Sequence, residues 1–299
     1  LFTTKNLNMI KIEDINSVSY IESLNSKEIE AIVLSVGDNL FELSQDVMDP
    51  YEDDYFCFSN NQATIIGFLS KISTLLFDYL SSYKNGRSHL CFIYGRIMYE
   101  AFIKMKYLIN KGETAQKAYR LCSYKDRLSF YRTYKDKNDG YFKVRNDKFL
   151  EDLSLDGFSL NDFPEKLSSL KSFGGKSFRQ LMAEYDNEDY YSSLYGMQSD
   201  FIHSDWGELR QIYLKRTENN DFCAIYSVDK HYRMIVPIEG FVIEVLLCFH
   251  EWVKDVDNKL YEDLNNNRTH LLQLKKVYSV LGNFIMQTYQ NNPSIYYNK

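Results

Sequence analysis

The sequence is poor in the residues that interrupt helices. It has 13 Gly and only 4 Pro among 299 residues, against 25 Tyr and 20 Phe. Because Gly and Pro are the strongest breakers of regular structure, this profile favours long helices packed through aromatic side chains. Hydrophobic residues make up 44% and charged residues 25%, which are ordinary values for a globular domain. The composition therefore predicts a mainly helical globular protein.

The five cysteines lack the close spacing of a disulfide framework or a zinc site. They stand at positions 57, 91, 122, 223 and 248, and the stretches around Cys91 and Cys248 are apolar. We expect both to be free thiols in the core of a protein from a reducing compartment. No HExxH motif is present either, so we expect no metal and no other cofactor.

Long hydrophobic runs are also missing. No stretch of about 18 consecutive apolar residues occurs, and the first residues, LFTTKNLN, lack the charged-then-apolar plan of a secretion signal. These absences predict a cytoplasmic protein without a membrane partner.

The common phosphate-binding and nucleophile motifs are absent. The chain contains no GxxxxGK[ST], no GxGxxG and no GxSxG, and SFGGKSF at 172–178 has too few glycines at the required offsets. Nucleotide hydrolysis by a P-loop is therefore excluded.

Charge is unevenly distributed. Residues 1–56 hold twelve acidic side chains against three lysines, whereas residues 117–148 hold ten Lys or Arg against four Asp. Seven aromatic residues alternate with these basic ones, a mixture that suits phosphates and stacked bases. The predicted nucleic-acid-binding residues are Arg120, Lys125, Arg127, Arg132 and Lys135. Two alternatives stay open: an amphipathic helix with solvated charges, and a basic stretch covered by the acidic N-terminal segment.

Apolar residues recur at three- and four-residue spacing along most of the chain. The clearest helix covers 87–112 and ends at Gly112. The other predicted helices cover 59–83, 113–137, 141–153, 175–184, 187–203, 206–216, a long stretch from Pro237, and 267–290. In DFCAIYSVDKHYRMIVP, two runs rich in strand-forming residues flank a polar SVDK. We predict an all-α fold, a multi-helix bundle with one small peripheral β-hairpin at about 221–236. Residues 1–58 are expected to form an acidic segment packed on the core, and residues 59–299 the helical domain.

Two predicted helices carry polar groups on faces where apolar groups would pack better. Arg96 and Glu100 lie four residues apart in YGRIMYEAF, and Tyr195, Ser199 and His203 form a series at i, i+4 and i+8. Because unpartnered polar groups are costly to bury, we predict that the two faces meet, with His203 in reach of Arg96 or Glu100. Such a cluster is either a buried network that holds the bundle in register or a catalytic site.

The helix RIMYEAFIKMKYLI together with the later YGMQSDFIH resembles a bacterial family of helical proteins of unknown function, over roughly residues 65–210. The resemblance implies a helical fold without an established reaction, and roles in phage defence. The chain is more distantly similar to the HEPN group (higher eukaryotes and prokaryotes nucleotide-binding), whose ribonucleases place a His shortly after an Arg on one helix. No Arg in this chain has that spacing. A HEPN-type activity therefore requires Arg96 and His203 to come together from separate helices.

Two functions from different classes remain. The first is an enzyme directed at a phosphodiester or nucleotide, such as a nuclease. In it His203 is the general acid or base, Arg96 stabilises developing negative charge, and Glu100 orients one of them, beside Ser199. The stretch 117–148 would hold the RNA or DNA. The second is a non-catalytic interaction module, in which the polar cluster is structural and the basic aromatic helix docks a protein partner or a second copy of the chain. We favour the first.

Overall fold

The computed structural model describes residues 15–48, 58–137, 139–186, 210, 214–219, 221–224 and 231–291. These residues are mainly helical and contain one two-stranded sheet, so the predicted fold class is confirmed. The chain divides into two compact units. Unit 1 comprises residues 1–55, 69–102 and 192–299, and unit 2 comprises residues 56–68 and 103–191. The predicted domain boundary at residue 58 stays a prediction.

The described α-helices are α1 (Val18–Glu22), α2 (Ser26–Met48), α3 (Ala63–Lys84), α4 (Ser88–Ser123), α5 (Lys125–Tyr134), α6 (Gly140–Leu155), α7 (Phe178–Tyr185), α8 (Val236–Val256), α9 (Asn258–Asp263) and α10 (Asn265–Asn291). Short polar side chains begin several of them. Asp139 accepts a hydrogen bond from the backbone N–H of Tyr141 at 2.8 Å and so caps α6. Ser177 and Gln180 form a reciprocal capping box at the start of α7.

The structure separates the two predicted helices, 87–112 and 113–137, at a different residue. Gly112 has φ 67° and ψ −161°, a conformation that interrupts the helical path and suits glycine. The helix resumes directly after it, so α4 extends to Ser123. A second interruption at Tyr124 then separates α4 from α5.

In unit 1, α8 and α10 pack on each other and on α2. The buried apolar stripe of α2 repeats at three- and four-residue spacing and comprises Ile29, Ile32, Val33, Val36, Leu40, Leu43 and Val47. Gly240 of α8 lies directly against the ring of Tyr278 of α10, where a Cβ atom would overlap the tyrosine hydroxyl. The two longest helices of the C-terminal region therefore approach each other closely at this glycine.

The hairpin lies earlier in the chain than predicted. Strand β1 (Leu214–Arg216) pairs antiparallel with β2 (Phe222–Ala224), and the connecting turn includes a hydrogen bond from Thr217 N–H to Asp221 C=O at 2.8 Å. The prediction of a second strand near 232–236 was wrong, because Tyr232–Met234 form a 3-10 turn that leads into α8. Pro237 stands in the first turn of α8, where its fixed φ favours helix initiation. The strand β1 likewise replaces the end of the helix predicted at 206–216.

Among the described residues, α3 is long and apolar enough to cross a membrane by length and composition. A helix in a protein core passes the same test, and 44% of the apolar window of α3 is buried within the fold.

The described cysteines are free thiols. Cys91 is buried, whereas Cys122 and Cys248 are partly exposed and Cys223 is exposed. The apolar sequence around Cys248 predicted a position in the core, but the residue is partly exposed. Cys57 lies outside the described residues.

Candidate nucleic-acid interface

In unit 2, α5 and α6 form an antiparallel helical hairpin. Tyr134 stacks on Phe142 beside the connection, whereas Arg127 contacts Asp152 further away, so the contacts pair opposite ends of the two helices. Apolar side chains at four-residue spacing lie between the helices. The buried cluster comprises Tyr124, Leu128, Phe149, Leu153, Phe158 and Phe163.

We term the end of the α5–α6 hairpin that lies away from the connection the closed end. Its cations contact other groups of the protein. Arg120 donates to Asn61 Oδ1 at 2.8 Å and to the backbone oxygen of Asp156, and its guanidinium lies 4.9 Å from the Phe158 ring centroid. Arg127 donates to Asp152 Oδ2 at 2.8 Å. Two of the three guanidinium groups that the sequence placed on a nucleic-acid surface are therefore engaged by protein groups at this end.

The electrostatics of the closed end follow from these contacts. The hydrogen bond from Arg127, and the one from Lys148, hold the pKa of Asp152 below its ordinary value. Burial raises the pKa of Tyr124 to about 12, and its hydrogen bond of 2.6 Å to Asp156 Oδ2 acts in the same direction. Asp152 thus stays ionised at neutral pH and is matched by two donors.

The other end of the hairpin, which we term the open end, is arranged differently. An open groove of about 470 Å³ lies beside the connection between α5 and α6. Three exposed lysines, two carboxylates and one amide line it, namely Lys135, Lys137, Lys143, Asp136, Asp147 and Asn146. Within the described part of the chain, none of these lysines forms an ion pair. The open end therefore offers ammonium groups that form no ion pair with a carboxylate of the described residues.

The ring of Tyr131 lines the groove, and further aromatic rings lie near the connection between α5 and α6. The Tyr134 and Phe142 rings stack at 4.6 Å between centroids and 18° between planes, and Lys137 Nζ lies 5.3 Å from the Tyr134 centroid. Arg145 lies 4.1 Å from the Phe130 centroid and donates to the Tyr141 hydroxyl at 2.8 Å. Tyr141 is 62% exposed. Cations and aromatic rings thus occur side by side at the open end of the hairpin.

The structure does not bring the five residues predicted to bind nucleic acid together on one surface. Arg120 and Arg127 lie at the closed end, and Arg132 donates to the backbone oxygen of Glu165 at 3.3 Å. Lys135 lines the groove of the open end, and Lys125 is partly buried at the start of α5. Nucleic-acid contact by these five residues stays a prediction.

Sequence reasoning did not single out Lys137, Lys143 or Arg145, although all three lie within 117–148. The carboxylates that engage Arg120 and Arg127 are Asp156 and Asp152, which lie beyond that stretch. Counting charge within the stretch therefore could not separate engaged cations from available ones.

The residues of the predicted catalytic cluster are only partly described. Arg96 and Glu100 lie one turn apart on α4, both partly buried, and Nη1 of Arg96 is inaccessible to solvent. Tyr195, Ser199 and His203 lie outside the described residues. The meeting of His203 with Arg96 or Glu100 therefore stays a prediction.

Unit 1 buries an acid that the sequence did not reveal as unusual. Glu239, in the first turn of α8, is fully buried, and neither carboxylate oxygen has a hydrogen bond of normal geometry to a described residue. Burial raises its pKa well above the ordinary value of 4.5, and the backbone N–H of Gly37 acts in the opposite direction. The apolar run around Glu239 was the signal that its carboxyl group would be enclosed.

A buried histidine links three helices of the same unit. His250 Nε2 of α8 lies 3.0 Å from Asn267 Oδ1 of α10, and Asn267 Nδ2 donates to the backbone oxygen of Leu43 of α2 at 2.9 Å. Because the carbonyl of Leu43 can only accept, the amide orientation is determined, and His250 Nε2 must carry the proton. Burial lowers the pKa of His250 below its ordinary value of 6.5.

The described residues contain no group of three or more His, Cys, Asp or Glu side chains arranged to hold a metal ion.

Comparison with known proteins identifies a family but no activity. No curated protein and no solved structure matches the chain. The model of the family of unknown function DUF5677 matches residues 62–222, which span the α5–α6 hairpin and the positions of Arg96, Glu100, Ser199 and His203. The resemblance to a family of unknown function is confirmed at that level, whereas the paired motifs, the bacterial origin and the HEPN likeness stay predictions. Because the match covers more than half of the chain, the protein belongs to the DUF5677 family.

Proposed function

We propose that the open end of the α5–α6 hairpin binds single-stranded nucleic acid. The observation that carries the proposal is the grouping of Lys135, Lys137 and Lys143 around one groove without ion pairs in the described structure, together with the ring of Tyr131, which lines the same groove. Lysines bind backbone phosphates, and aromatic side chains stack on unpaired bases.

The contrast with the closed end explains why binding concentrates at the groove. Arg120 and Arg127 already donate to Asp156, Asn61 and Asp152. A phosphate would have to displace these partners before it gained a contact. Within the described part of the chain, the three lysines of the groove have no ion-pair partner to lose, so their contacts with phosphate add directly to affinity.

Single strands fit this surface better than duplexes. Stacking on the Tyr131 ring requires a base that is free of its own stack, which a duplex supplies only at a cost of a few kcal/mol per base. A groove of about 470 Å³ is also of the size of pockets for small ligands rather than of a surface for a duplex.

The test is fluorescence anisotropy with a labelled single strand of 12 nucleotides and its duplex, over a range of salt concentrations. Three phosphate contacts predict that log K falls with log salt at a slope of about −2 for the single strand. Affinity should therefore fall by about 15- to 20-fold between 50 and 200 mM salt. Tighter binding of the duplex would contradict the preference for single strands.

Two matched variants locate the site. The triple change of Lys135, Lys137 and Lys143 to Ala should remove most of the affinity and most of the salt slope. Lys148→Ala removes one positive charge from a neighbouring exposed position, but Lys148 is paired with Glu151 and Asp152 and does not line the groove. It should leave binding nearly unchanged. A fall in log K for Lys148→Ala of about one third of that for the triple variant would indicate attraction by net charge alone. No binding by the wild type would favour the interaction-module alternative.

A second candidate function is a nuclease or other phosphodiester-directed activity at Arg96, Glu100 and His203, beside Ser199. It is supported by the position of Arg96 and Glu100 one turn apart on a largely buried helix, because a charged pair in that setting is costly without a role. Arg96→Ala and His203→Ala should each abolish cleavage of a labelled RNA or DNA strand. Cleavage that persists in both variants would rule this site out.

The cellular role is part of the same proposal. We propose a cytoplasmic protein, supported by free thiols among the described cysteines, and a role in phage defence, in which the nucleic acid is that of an invading phage or its host. Phage plaque counts on cells with the wild type and with the triple lysine variant test this role. Equal protection by both would separate defence from the groove.

A further inference from the structure

We infer that the groove at the open end of the α5–α6 hairpin selects RNA over DNA through the ribose 2′-hydroxyl. The inference rests on the proposed function. Two carboxylates, Asp136 and Asp147, line the same groove as the three lysines, and neither forms an ion pair with them. A surface that only attracted phosphate would bind it more tightly without these two carboxylates, because like charges repel.

The carboxylates suit one feature of the RNA backbone. An ionised carboxylate only accepts hydrogen bonds, so it requires a donor from its ligand. The 2′-hydroxyl is a donor that every ribonucleotide carries next to its phosphate and that DNA lacks. Lysines that contact the flanking phosphates would offset the repulsion between those phosphates and the carboxylates. A DNA strand would meet the same repulsion without gaining the hydrogen bond.

The wall of the groove is held in place. Asn146 of α6 is buried and donates from Nδ2 to the backbone oxygen of Tyr134, at the end of α5, over 3.3 Å. This contact ties the first half of α6 to the connection that carries Asp136. The two carboxylates therefore lie on a part of the hairpin that this hydrogen bond holds in place. Fixed carboxylates can distinguish RNA from DNA by their position, without a conformational change of the protein.

The test compares oligo(U) with oligo(dU) of 12 nucleotides at low salt by anisotropy. The base is identical in the two strands, so base-specific contacts cannot produce a difference. The wild type should bind oligo(U) about threefold to tenfold more tightly, as expected for one or two hydrogen bonds. Changing Asp136 and Asp147 together to Ala should remove the preference, because the acceptors are lost. Changing them to Asn should strengthen binding of both strands and keep a preference, because the charge is lost and an acceptor oxygen remains.

Asp126→Asn is the matched control, since Asp126 is exposed on α5 and does not line the groove. It should leave the ratio of the two affinities unchanged. Equal binding of oligo(U) and oligo(dU) by the wild type would overturn RNA selection while leaving the proposed function in place. A preference that survives the double Ala change would overturn the assignment to these carboxylates. Absence of binding to either strand would overturn the proposed function itself.

Discussion

The two compact units differ in the ionisable side chains that they bury. Unit 1 buries single groups in its helical core, with Glu239 lacking a hydrogen bond of normal geometry to a described residue and His250 bound only to an uncharged amide. Unit 2 keeps its charges near the surface of the α5–α6 hairpin, where Arg127, Lys148 and Asp152 are joined by ion pairs. Burial makes stability depend on protonation, whereas surface pairing makes it depend on salt. We therefore expect unit 1 to respond to pH and unit 2 to respond to ionic strength.

The two buried groups of unit 1 act with opposite signs. Glu239 has a folded-state pKa above its ordinary value of 4.5, so its contribution to stability is full below about pH 4.5 and is lost as the pH rises through the folded-state pKa. His250 has a folded-state pKa below its ordinary value of 6.5. Its contribution is full above about pH 6.5 and is lost as the pH falls through the folded-state pKa.

The largest expected effect follows from removal of Asn267. Asn267→Ala deprives both His250 Nε2 and the Leu43 carbonyl of their partner in the core, so the free energy of unfolding should fall by about 2 to 4 kcal/mol. Denaturant melts measure this loss, and Asn266→Ala, at the exposed neighbouring position, is the control. A change in Asn267→Ala no larger than in the control would show that the network does not stabilise unit 1.

A smaller effect of opposite sign is expected at Glu239. Glu239→Gln removes the cost of keeping a buried acid protonated at neutral pH, so the variant should be more stable than the wild type by about 1 to 3 kcal/mol at pH 7. The advantage should shrink towards pH 4.5, where the unfolded chain also holds the proton. Melts at several pH values check this trend. Glu244→Gln, on the exposed side of the same helix, should show no comparable gain.

The smallest effect is expected at the surface pairs of unit 2. Asp152→Asn weakens the contacts with Arg127 and Lys148, so the hairpin should lose a little stability at low salt and show almost no difference from the wild type at 1 M salt. Hydrogen exchange of α5 and α6 follows the hairpin separately from unit 1. A loss that persists at high salt would mean that Asp152 acts through packing rather than charge.

The fold class could be predicted from the sequence because it depends on local patterns. Apolar residues at helical spacing and the shortage of Gly and Pro indicated the bundle, and Gly112 indicated an interruption in α4. The β-hairpin was predicted at the wrong position because strand-forming residues are only a weak signal over short stretches. The apolar run before Pro237 serves the start of α8, and β2 instead pairs with Leu214–Arg216.

The candidate site was less predictable because it depends on long-range pairing. The sequence identified the basic aromatic stretch, but whether a given cation is available depends on which acids the next helix brings to it. Asp152 and Asp156 engage Arg127 and Arg120, and no acid does so for Lys143 within the described residues. The apolar run around Glu239 indicated that the carboxyl group would be enclosed. Its lack of a hydrogen bond of normal geometry to a described residue instead results from three-dimensional packing around α8, which spacing along the chain cannot reveal.

The close approach of Gly240 to Tyr278 has a consequence for how this chain can change through mutation. Any side chain at position 240 would overlap the tyrosine ring, so the two positions can vary only together. In a library that randomises position 240 alone, selection for folded protein should return glycine almost exclusively. Once Tyr278 is replaced by a small residue, alanine or serine should become acceptable at 240. The contact is thus a coupled pair, in which the identity of one residue sets the freedom of the other.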